Sequence, residues 1–203
     1  MNKMFLSSSF ADSVEIFQKF IGKDLENRTV TFIPTASIVE EITYYIDAAK
    51  EAFKNLGMKL VILDIADTTK EEIKNTIEKN DFIYISGGNS FFLLQELKKK
   101  QVDEIILQEI NKGKVYIGES AGSIIMAPNI EYISVLDDKE KAPDLLSYEG
   151  LNALSKYPLP HLNNEYLGEA IEQIIQTYGG SLNLLPITDI QAILVESDQL
   201  TIV

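Results

Sequence analysis

The stretch that decides the fold comprises residues 114–126 and reads Lys-Val-Tyr-Ile-Gly-Glu-Ser-Ala-Gly-Ser-Ile-Ile-Met. Residues 114–117 predict a strand, and the apolar residues 123–126 predict the start of a helix. Between them, Gly118-Glu119-Ser120-Ala121-Gly122 fits the GxSxG pattern of a sharp strand-to-helix turn, in which the glycines let strand and helix approach closely. The stretch therefore predicts a turn that presents the hydroxyl of Ser120.

The rest of the chain repeats this alternation of short apolar runs with longer segments of helical period. Strands are predicted at 3–7, 29–33, 59–64, 82–85, 114–118, 183–186, 191–195 and 199–203. Helices are predicted at 11–21, 39–56, 69–78, 91–99, 102–112 and 164–177. Such alternation is typical of a mainly parallel sheet with helices on both faces. We therefore expect a single α/β domain across residues 1–203.

Composition excludes several classes of protein. The 203 residues contain no cysteine and one histidine, so disulfides, thiolate catalysis and the common zinc sites are not expected. The formal net charge of −13 argues against nucleic acid and membrane surfaces as partners, because both are anionic. Residues 1–9 do not contain the long apolar core of a signal peptide, and no apolar run approaches the roughly 18 residues of a membrane span. The sequence therefore predicts a cytoplasmic protein.

A nucleophilic serine needs a general base, and the chain offers one candidate, His161. Two prolines, Pro158 and Pro160, precede it and predict an irregular segment there. The base in turn needs a carboxylate that orients its ring. Glu196 closes a predicted strand, whereas Asp137 and Asp138 precede the histidine, as the acid does in α/β-hydrolases. Sequence reasoning leaves this choice open.

Small polar residues follow several predicted strands and would line one crevice at the carboxyl edge of a parallel sheet. One of these turns, Gly87-Gly88-Asn89, contains neither a Walker A loop nor a GxGxxG motif, so a nucleotide site is not expected. Because this turn and the helix after Ser120 would share the edge, the N–H groups of Gly88 and Ala121 could form a two-donor oxyanion hole.

Five blocks of the chain, in order, resemble one known family, the peptidase E group of serine peptidases that includes the cyanophycinases. The blocks are Leu6–Ser9, Phe32–Ala36, Ser86–Asn89, Gly118–Gly122 and the segment Pro158–His161. The resemblance spans nearly the whole chain. It implies a three-layer fold like that of class I glutamine amidotransferases, which is flavodoxin-like, and hydrolysis of small peptides without a metal or other cofactor.

Carried over by position, the resemblance implies a Ser-His-Glu triad of Ser120, His161 and Glu196. It also implies Gly88 and Ala121 as oxyanion donors. Some descriptions of the family give an aspartate soon after the serine as the acid, which here would be Asp138 or Asp137.

The chain departs from peptidase E in the segment after the histidine. An arginine-rich stretch there fits the anionic side chain of an aspartyl substrate in that family, whereas this chain has Leu-Asn-Asn-Glu-Tyr at 162–166. Its one arginine, Arg28, is far away in sequence. Tight recognition of a second carboxylate favours a planar bidentate cation. Aspartyl specificity is therefore not expected.

The sequence predicts a cofactor-free serine hydrolase that cleaves small peptides or related amides. Two alternatives remain open: an esterase or amidase on an α/β-hydrolase fold with Asp138 as the acid, and a catalytically silent binding module on the same fold. A metal-dependent amidohydrolase is disfavoured, because one histidine and no cysteine leave only carboxylates as strong ligands. The oligomeric state is not predicted.

Overall fold

The computed structural model describes residues 2–22, 24–197 and 199–203. Three positions of the predicted domain, Met1, Lys23 and Asp198, lie outside the described residues. The strands are β1 (Lys3–Ser7), β2 (Thr29–Ile33), β3 (Lys59–Ile62), β4 (Phe82–Ile85), β5 (Val115–Glu119), β6 (Tyr157–Leu159), β7 (Leu184–Pro186), β8 (Ala192–Glu196) and β9 (Gln199–Ile202). The helices are α1 (Val14–Ile21), α2 (Tyr44–Asn55), α3 (Lys70–Lys79), α4 (Ser90–Lys99), α5 (Val102–Asn111), α6 (Ala121–Ile124) and α7 (Gly168–Tyr178).

A seven-stranded sheet forms the centre of the fold, with the strand order β3-β2-β4-β5-β1-β8-β9. The first five strands in this order are parallel, and β8 and β9 are antiparallel to their neighbours. A separate parallel pair, β6 and β7, lies outside this sheet. The arrangement confirms the predicted α/β fold with a mainly parallel sheet.

Both faces of the sheet are covered, because successive strand residues point to opposite sides. Phe5 and Phe32 point to one side and pack with α1 and α2 in a cluster rich in aromatic rings. Leu6, Ile33 and Ile85 point to the other side and pack with residues of α3, α4, α5 and α7. Burial on both faces explains why the strands are almost continuously apolar in sequence. The result is the three-layer sandwich that the resemblance implied.

Several elements differ from the sequence prediction in their ends, and two of the differences have a clear physical cause. The helix predicted from residue 39 begins at Tyr44, because residues 35–37 form a 3₁₀ turn and the chain then continues without helix to Thr43. β6 was not predicted, since Pro158 and Pro160 favour an irregular segment. Pro158 is nevertheless accommodated, because the bonds between the two strands use the N–H groups of other residues, such as Tyr157 to Asn183 O.

Strand direction determines which residues meet at each edge of the sheet. Parallel pairing places the carboxyl ends of β1, β4 and β5 together, with Ser7 opposite Glu119 and Ile85 opposite Gly118. β8 runs the other way, so that its first residue, Ala192, pairs with Ser7 and its last pairs with Lys3. The first residues of β8 therefore lie at the same edge of the sheet as the Ser120 turn. Among the described residues, no helix has the length and apolar character needed to cross a bilayer.

Candidate active site

Ser120 occupies a strained turn between β5 and α6. Its backbone has φ 46° and ψ −105°, a region that residues with a side chain rarely adopt. The N–H of Ser120 donates to Ser7 O at 2.9 Å, and Ser120 O accepts from Ser123 N at 2.8 Å. These bonds hold the turn, and the serine side chain lies at the carboxyl edge of the sheet, partly exposed.

The flanking glycines are required by close backbone packing. A Cβ on Gly118 would lie 2.6 Å from Gly122 O, and a Cβ on Gly122 would lie 2.3 Å from Ile85 O. Both distances are far below van der Waals contact, so neither position accepts a side chain without displacing its neighbours. The GxSxG spacing therefore has the steric origin expected from the sequence.

His161 lies within hydrogen-bond distance of the serine. Its Nε2 is 2.8 Å from Ser120 Oγ, and its side chain is 15% exposed. The residue follows β6, has φ 70°, and donates its backbone N–H to Ser8 Oγ at 3.0 Å. The next residue, Leu162, donates to Ile187 O at 2.9 Å. The ring is thus positioned by both the end of β1 and the segment after β7.

Asp189 supplies the carboxylate beside the histidine. Its Oδ1 is 2.8 Å from His161 Nδ1, and its Oδ2 accepts from Asn164 Nδ2 at 2.7 Å. The hydrogen bond with His161 lowers the pKa of Asp189, against an opposing effect of partial burial, and Asn164 lowers it further. The carboxylate is therefore ionised at neutral pH and fixes the imidazole with Nδ1 as donor and Nε2 as acceptor.

Sequence reasoning missed Asp189. The available signal was one carboxylate in a short segment, residues 187–190, between two predicted strands. That signal could not select the residue, because the proximity of His161 and Asp189 depends on the pairing of β6 with β7. Ile187 N donates to Leu159 O at 3.0 Å and extends this pairing to the residues that carry the two side chains.

Glu196 does not reach His161, which corrects the predicted triad. It pairs with Lys3 at the far end of β8, and its carboxylate lies 3.3 Å from Lys3 Nζ. Four residue steps of strand separate it from Ala192, about 13 Å at 3.3 Å per residue. A β8 parallel to β1 would have placed Glu196 at the edge that carries Ser120. Antiparallel pairing carries Glu196 to the opposite edge of the sheet.

Asp137 and Asp138, the alternative acids, lie beside the Gly87-Gly88-Asn89 loop and do not bond to the histidine ring in the structure. Oδ2 of Asp137 accepts from Ser90 N at 2.7 Å, at the start of α4. Burial raises the pKa of Asp137 to about 6, although the adjoining Ser90 and His161 oppose the rise. Asp138 is exposed, and its Oδ1 accepts from Glu140 N at 2.9 Å. Neither residue therefore completes the Ser120–His161 pair.

The loop that contains Gly88 passes directly beside the serine. A Cβ on Gly87 would lie 3.3 Å from Ser120 Cβ. Gly88 has φ 129°, and a Cβ there would lie 2.2 Å from Ala36 O, so only glycine fits. Within the described ranges, the N–H groups of Gly88 and Ala121 donate to no other group. The two predicted oxyanion donors thus lie on the two backbone segments that adjoin Ser120.

Glu119, the residue before the serine, is a buried carboxylate that the sequence prediction did not use. Its Oε1 accepts from Phe10 N at 2.8 Å, and its Oε2 accepts from the hydroxyl of Tyr84. Burial raises its pKa, while the hydrogen bonds from Tyr84 and Phe10 counteract the rise. Glu119 therefore connects the Ser120 turn to the segment after β1 and to β4. Across residues 2–22, 24–197 and 199–203, no cluster of three or more histidine or acidic side chains is arranged to hold a metal.

Comparison with known proteins gives consistent matches along the chain. The model of peptidase family S51 matches residues 4–203. An uncharacterized peptidase of Listeria monocytogenes is 47% identical over 199 residues, which cover 98% of this chain and 97% of that protein. Peptidase E of a Nostoc strain is 26% identical over 165 residues, which cover 79% of this chain and 64% of that protein. A crystal structure of a candidate peptidase E protein from Listeria monocytogenes superposes with a TM-score of 0.96 at 46% identity, covering 100% of this chain and 98% of that one.

Proposed function

This chain belongs to peptidase family S51 and is a peptidase of the peptidase E type, and we propose that its catalytic triad is Ser120, His161 and Asp189. The observation that carries the proposal is the continuous hydrogen-bonded series from Ser120 Oγ through the imidazole to Asp189, with 2.8 Å at each step. A nucleophile, a base within reach of it, and an orienting acid are the minimum set for acyl transfer by serine.

In the proposed reaction, Ser120 Oγ attacks the carbonyl carbon of a peptide bond while His161 Nε2 takes the hydroxyl proton. The electron pair of the C=O bond moves to the oxygen, which the N–H groups of Gly88 and Ala121 bind as an oxyanion. The imidazolium then gives its proton to the leaving nitrogen as the C–N bond breaks. Water then attacks the acyl carbon while Nε2 takes one of its protons. The bond between that carbon and Ser120 Oγ breaks, the imidazolium returns the proton to Oγ, and the acyl group leaves as a carboxylic acid.

Each supporting residue has a defined contribution. Asp189 holds the imidazole in the tautomer that can accept the serine proton, and stabilises the imidazolium. Asn164 fixes the second oxygen of that carboxylate. The strained backbone at Ser120 keeps the hydroxyl directed to the crevice, which is the kind of strain that occurs at functional sites. Each oxyanion donor is typically worth about 3 kcal/mol in the transition state.

The proposed substrates are small peptides or related amides. Aspartyl specificity is not part of the proposal, because Arg28 is engaged with Asp81 and Asp24 at the end of β2 away from Ser120.

A fluorophosphonate probe tests the nucleophile directly. We expect the wild-type protein to be labelled on Ser120, as located by peptide mass spectrometry, and the Ser120→Ala variant to remain unlabelled with unchanged circular dichroism. Ser123→Ala is the matched control, because Ser123 Oγ donates to backbone carbonyls of Ser7 and Gly118 and is fully buried. Labelling of Ser120→Ala, or none of the wild type, would contradict the proposal.

A further inference from the structure

Glu119, the residue before the proposed nucleophile, is a carboxylate buried among aromatic rings. It is 2% exposed. Because strand residues alternate in direction, its side chain points to the same face of β5 as Ile117, which belongs to the cluster that contains Phe10 and Tyr84. Burial raises the pKa of Glu119, because the charged form loses its water. A carboxylate in such surroundings is costly unless hydrogen-bond donors surround it.

The donors around Glu119 come from different segments of the chain. Phe10 N donates to Oε1 at 2.8 Å, and the hydroxyl of Tyr84 donates to Oε2. Against the effect of burial, the hydrogen bonds of Tyr84, of Phe10 and of the Gly87 backbone lower the pKa of the carboxyl group. Hydrogen bonds to a charged group are stronger than those between neutral groups. One side chain therefore connects the segment after β1, the strand β4 and the loop after β4.

The first of these segments supports the proposed base. Ser8 Oγ accepts from His161 N at 3.0 Å, and two residues later Phe10 N donates to the Glu119 carboxylate. The carboxylate in turn belongs to the residue that precedes Ser120. Glu119 therefore sets the position of the segment that supports the histidine relative to the turn that carries the serine.

The other contacts belong to β4 and to the loop that carries the proposed oxyanion donor, Gly88. A Cβ on Gly87 would lie 3.3 Å from Ser120 Cβ, so this loop passes directly beside the proposed nucleophile. Gly87 precedes Gly88, so the contact of the Gly87 backbone with Glu119 influences where the next N–H group points. Small displacements matter there, because an oxyanion donor acts at a distance of about 3 Å.

We propose that Glu119 is a positioning residue, whose carboxylate fixes the spacing between Ser120, the segment that supports His161 and the oxyanion loop. Being buried, it acts through these segments and not on the substrate. The inference rests on the proposed function, because the geometry that it concerns is that of attack by Ser120. Misplacement of reacting groups by about 1 Å can lower a rate about 100-fold, so a contact of this kind affects the chemical step.

The rate at which a fluorophosphonate probe labels Ser120 tests this role without a known substrate. The maximal labelling rate constant and the half-saturating probe concentration are measured for the wild type and for Glu119→Gln, with circular dichroism to show that each protein is folded. The amide keeps the size of the side chain and removes its charge and one acceptor oxygen. We expect the maximal rate constant to fall roughly 10- to 100-fold and the half-saturating concentration to remain nearly unchanged.

Glu109→Gln is the matched control. Glu109 is also a buried glutamate, and it pairs with Lys112 and Lys114 beside the first residue of β5, at the end of the strand away from Ser120. This variant should have a lower free energy of unfolding in urea and the labelling kinetics of the wild type. Since both substitutions remove a buried carboxylate, the comparison separates positioning from a general loss of stability.

Tyr84→Phe is the second variant and decides the question if Glu119→Gln does not fold. It keeps the aromatic ring in its cluster and removes one hydrogen bond to the carboxylate. We expect the maximal rate constant to fall roughly 3- to 10-fold, the range of one hydrogen bond. Because the hydroxyl acts through Glu119, the double variant should be labelled no more slowly than Glu119→Gln alone.

The outcomes keep this inference distinguishable from the proposed function. Labelling of Glu119→Gln at the wild-type rate, a loss confined to the half-saturating concentration, an equal loss in Glu109→Gln, or an unchanged rate in Tyr84→Phe would overturn the inference and leave the proposed nucleophile intact. If Ser120 of the wild type is not labelled, the proposed function itself fails, and the role of Glu119 fails with it.

Discussion

The turn that carries Ser120 and the segments that carry His161 and Asp189 are built in different ways. The turn lies between β5, which is paired on both sides within the central sheet, and α6, and its geometry is determined by residues 118–122. The histidine and the aspartate follow two three-residue strands outside that sheet, 28 positions apart in the chain. The position of the proposed nucleophile is therefore a local feature, whereas the proposed base and acid are brought together by long-range pairing.

The largest loss of activity is expected from a substitution in the pair formed by His161 and Asp189. Asp189→Asn should lower kcat by about 10³- to 10⁴-fold, because an amide can hold the wrong tautomer of His161 and cannot stabilise its cation. Turnover of a small peptide by the purified variant measures the loss. Glu196→Gln is the control, since its carboxylate contacts Lys3 at the opposite edge, and it should retain nearly full activity. The reverse result would restore the sequence-based triad.

The steric fit of the turn at residues 118–122 is tested by adding one methyl group to it. Gly122→Ala should destabilise the protein by about 3 kcal/mol and remove most activity, because the new Cβ would lie 2.3 Å from Ile85 O. Urea unfolding monitored by circular dichroism gives the free energy of unfolding. Gly180→Ala is the matched control, since a Cβ there meets no atom within 4 Å. Equal stability of the two variants would show that the turn relaxes easily.

Ser8 follows Ser7, whose carbonyl accepts from Ser120 N, and its own side chain contacts the histidine segment, so its substitution should show an intermediate effect. Ser8 Oγ accepts from His161 N at 3.0 Å and lies 3.2 Å from Ile187 O and 3.1 Å from Thr188 O. Ser8→Ala should cost about 1–3 kcal/mol in stability and about 10- to 100-fold in kcat, because a buried N–H loses its acceptor and the ring loses its support.

Ser9→Ala is the control for this substitution, because the bond that Ser9 Oγ accepts from Asp12 N is long, at 3.4 Å, and exposed. An unchanged kcat in Ser8→Ala would show that pairing of β6 with β7 alone positions the histidine.

The smallest expected effect concerns stability and pH at Asp137. Its pKa is about 6 in the folded protein and near 3.8 when unperturbed, so folding favours the protonated form. The residue therefore lowers the free energy of unfolding as pH rises from about 4 to about 6, and the cost remains above pH 6. Asp137→Asn should accordingly raise the free energy of unfolding at pH 8 by about 1–3 kcal/mol, less any relaxation of the site.

Chemical denaturation of wild type and Asp137→Asn at pH 4 and pH 8 measures this difference. We expect the two proteins to be close in stability at pH 4 and to diverge at pH 8. A constant difference between the two pH values would show that the carboxylate is well solvated in the folded state.

The predicted nucleophile and oxyanion donors, which the structure brings close together, share one property. Ser120, Gly88 and Ala121 each follow a parallel strand, and parallel strands place their carboxyl ends at one edge whatever their order in the sheet. Apolar runs of four or five residues are enough to locate such strands, and β1, β2 and β4 have the predicted bounds. His161 could be identified because the chain contains no other histidine.

The proposed acid, Asp189, could not be predicted in this way, because its position depends on two features of the tertiary structure that have no local sequence pattern. One is the direction of β8, which runs antiparallel to β1 and carries Glu196 away from the site. The other is the pairing of β6 with β7, which brings Asp189 to the histidine. An apolar run of five residues has the same pattern in either direction, and a strand of three residues around a proline is too short to give a pattern at all.

The sequence by itself determined the α/β fold with a mainly parallel sheet, the tight turn at Ser120 and the one candidate base, because these follow from short apolar runs, short-range sterics and a residue type that occurs once. Only the tertiary structure decided that Asp189, and not Glu196, lies beside the imidazole of His161. The position of each carboxylate depends on strand direction and on contacts between segments that are far apart in the chain. Many weak interactions together stabilise those contacts, so no local sequence pattern predicts them.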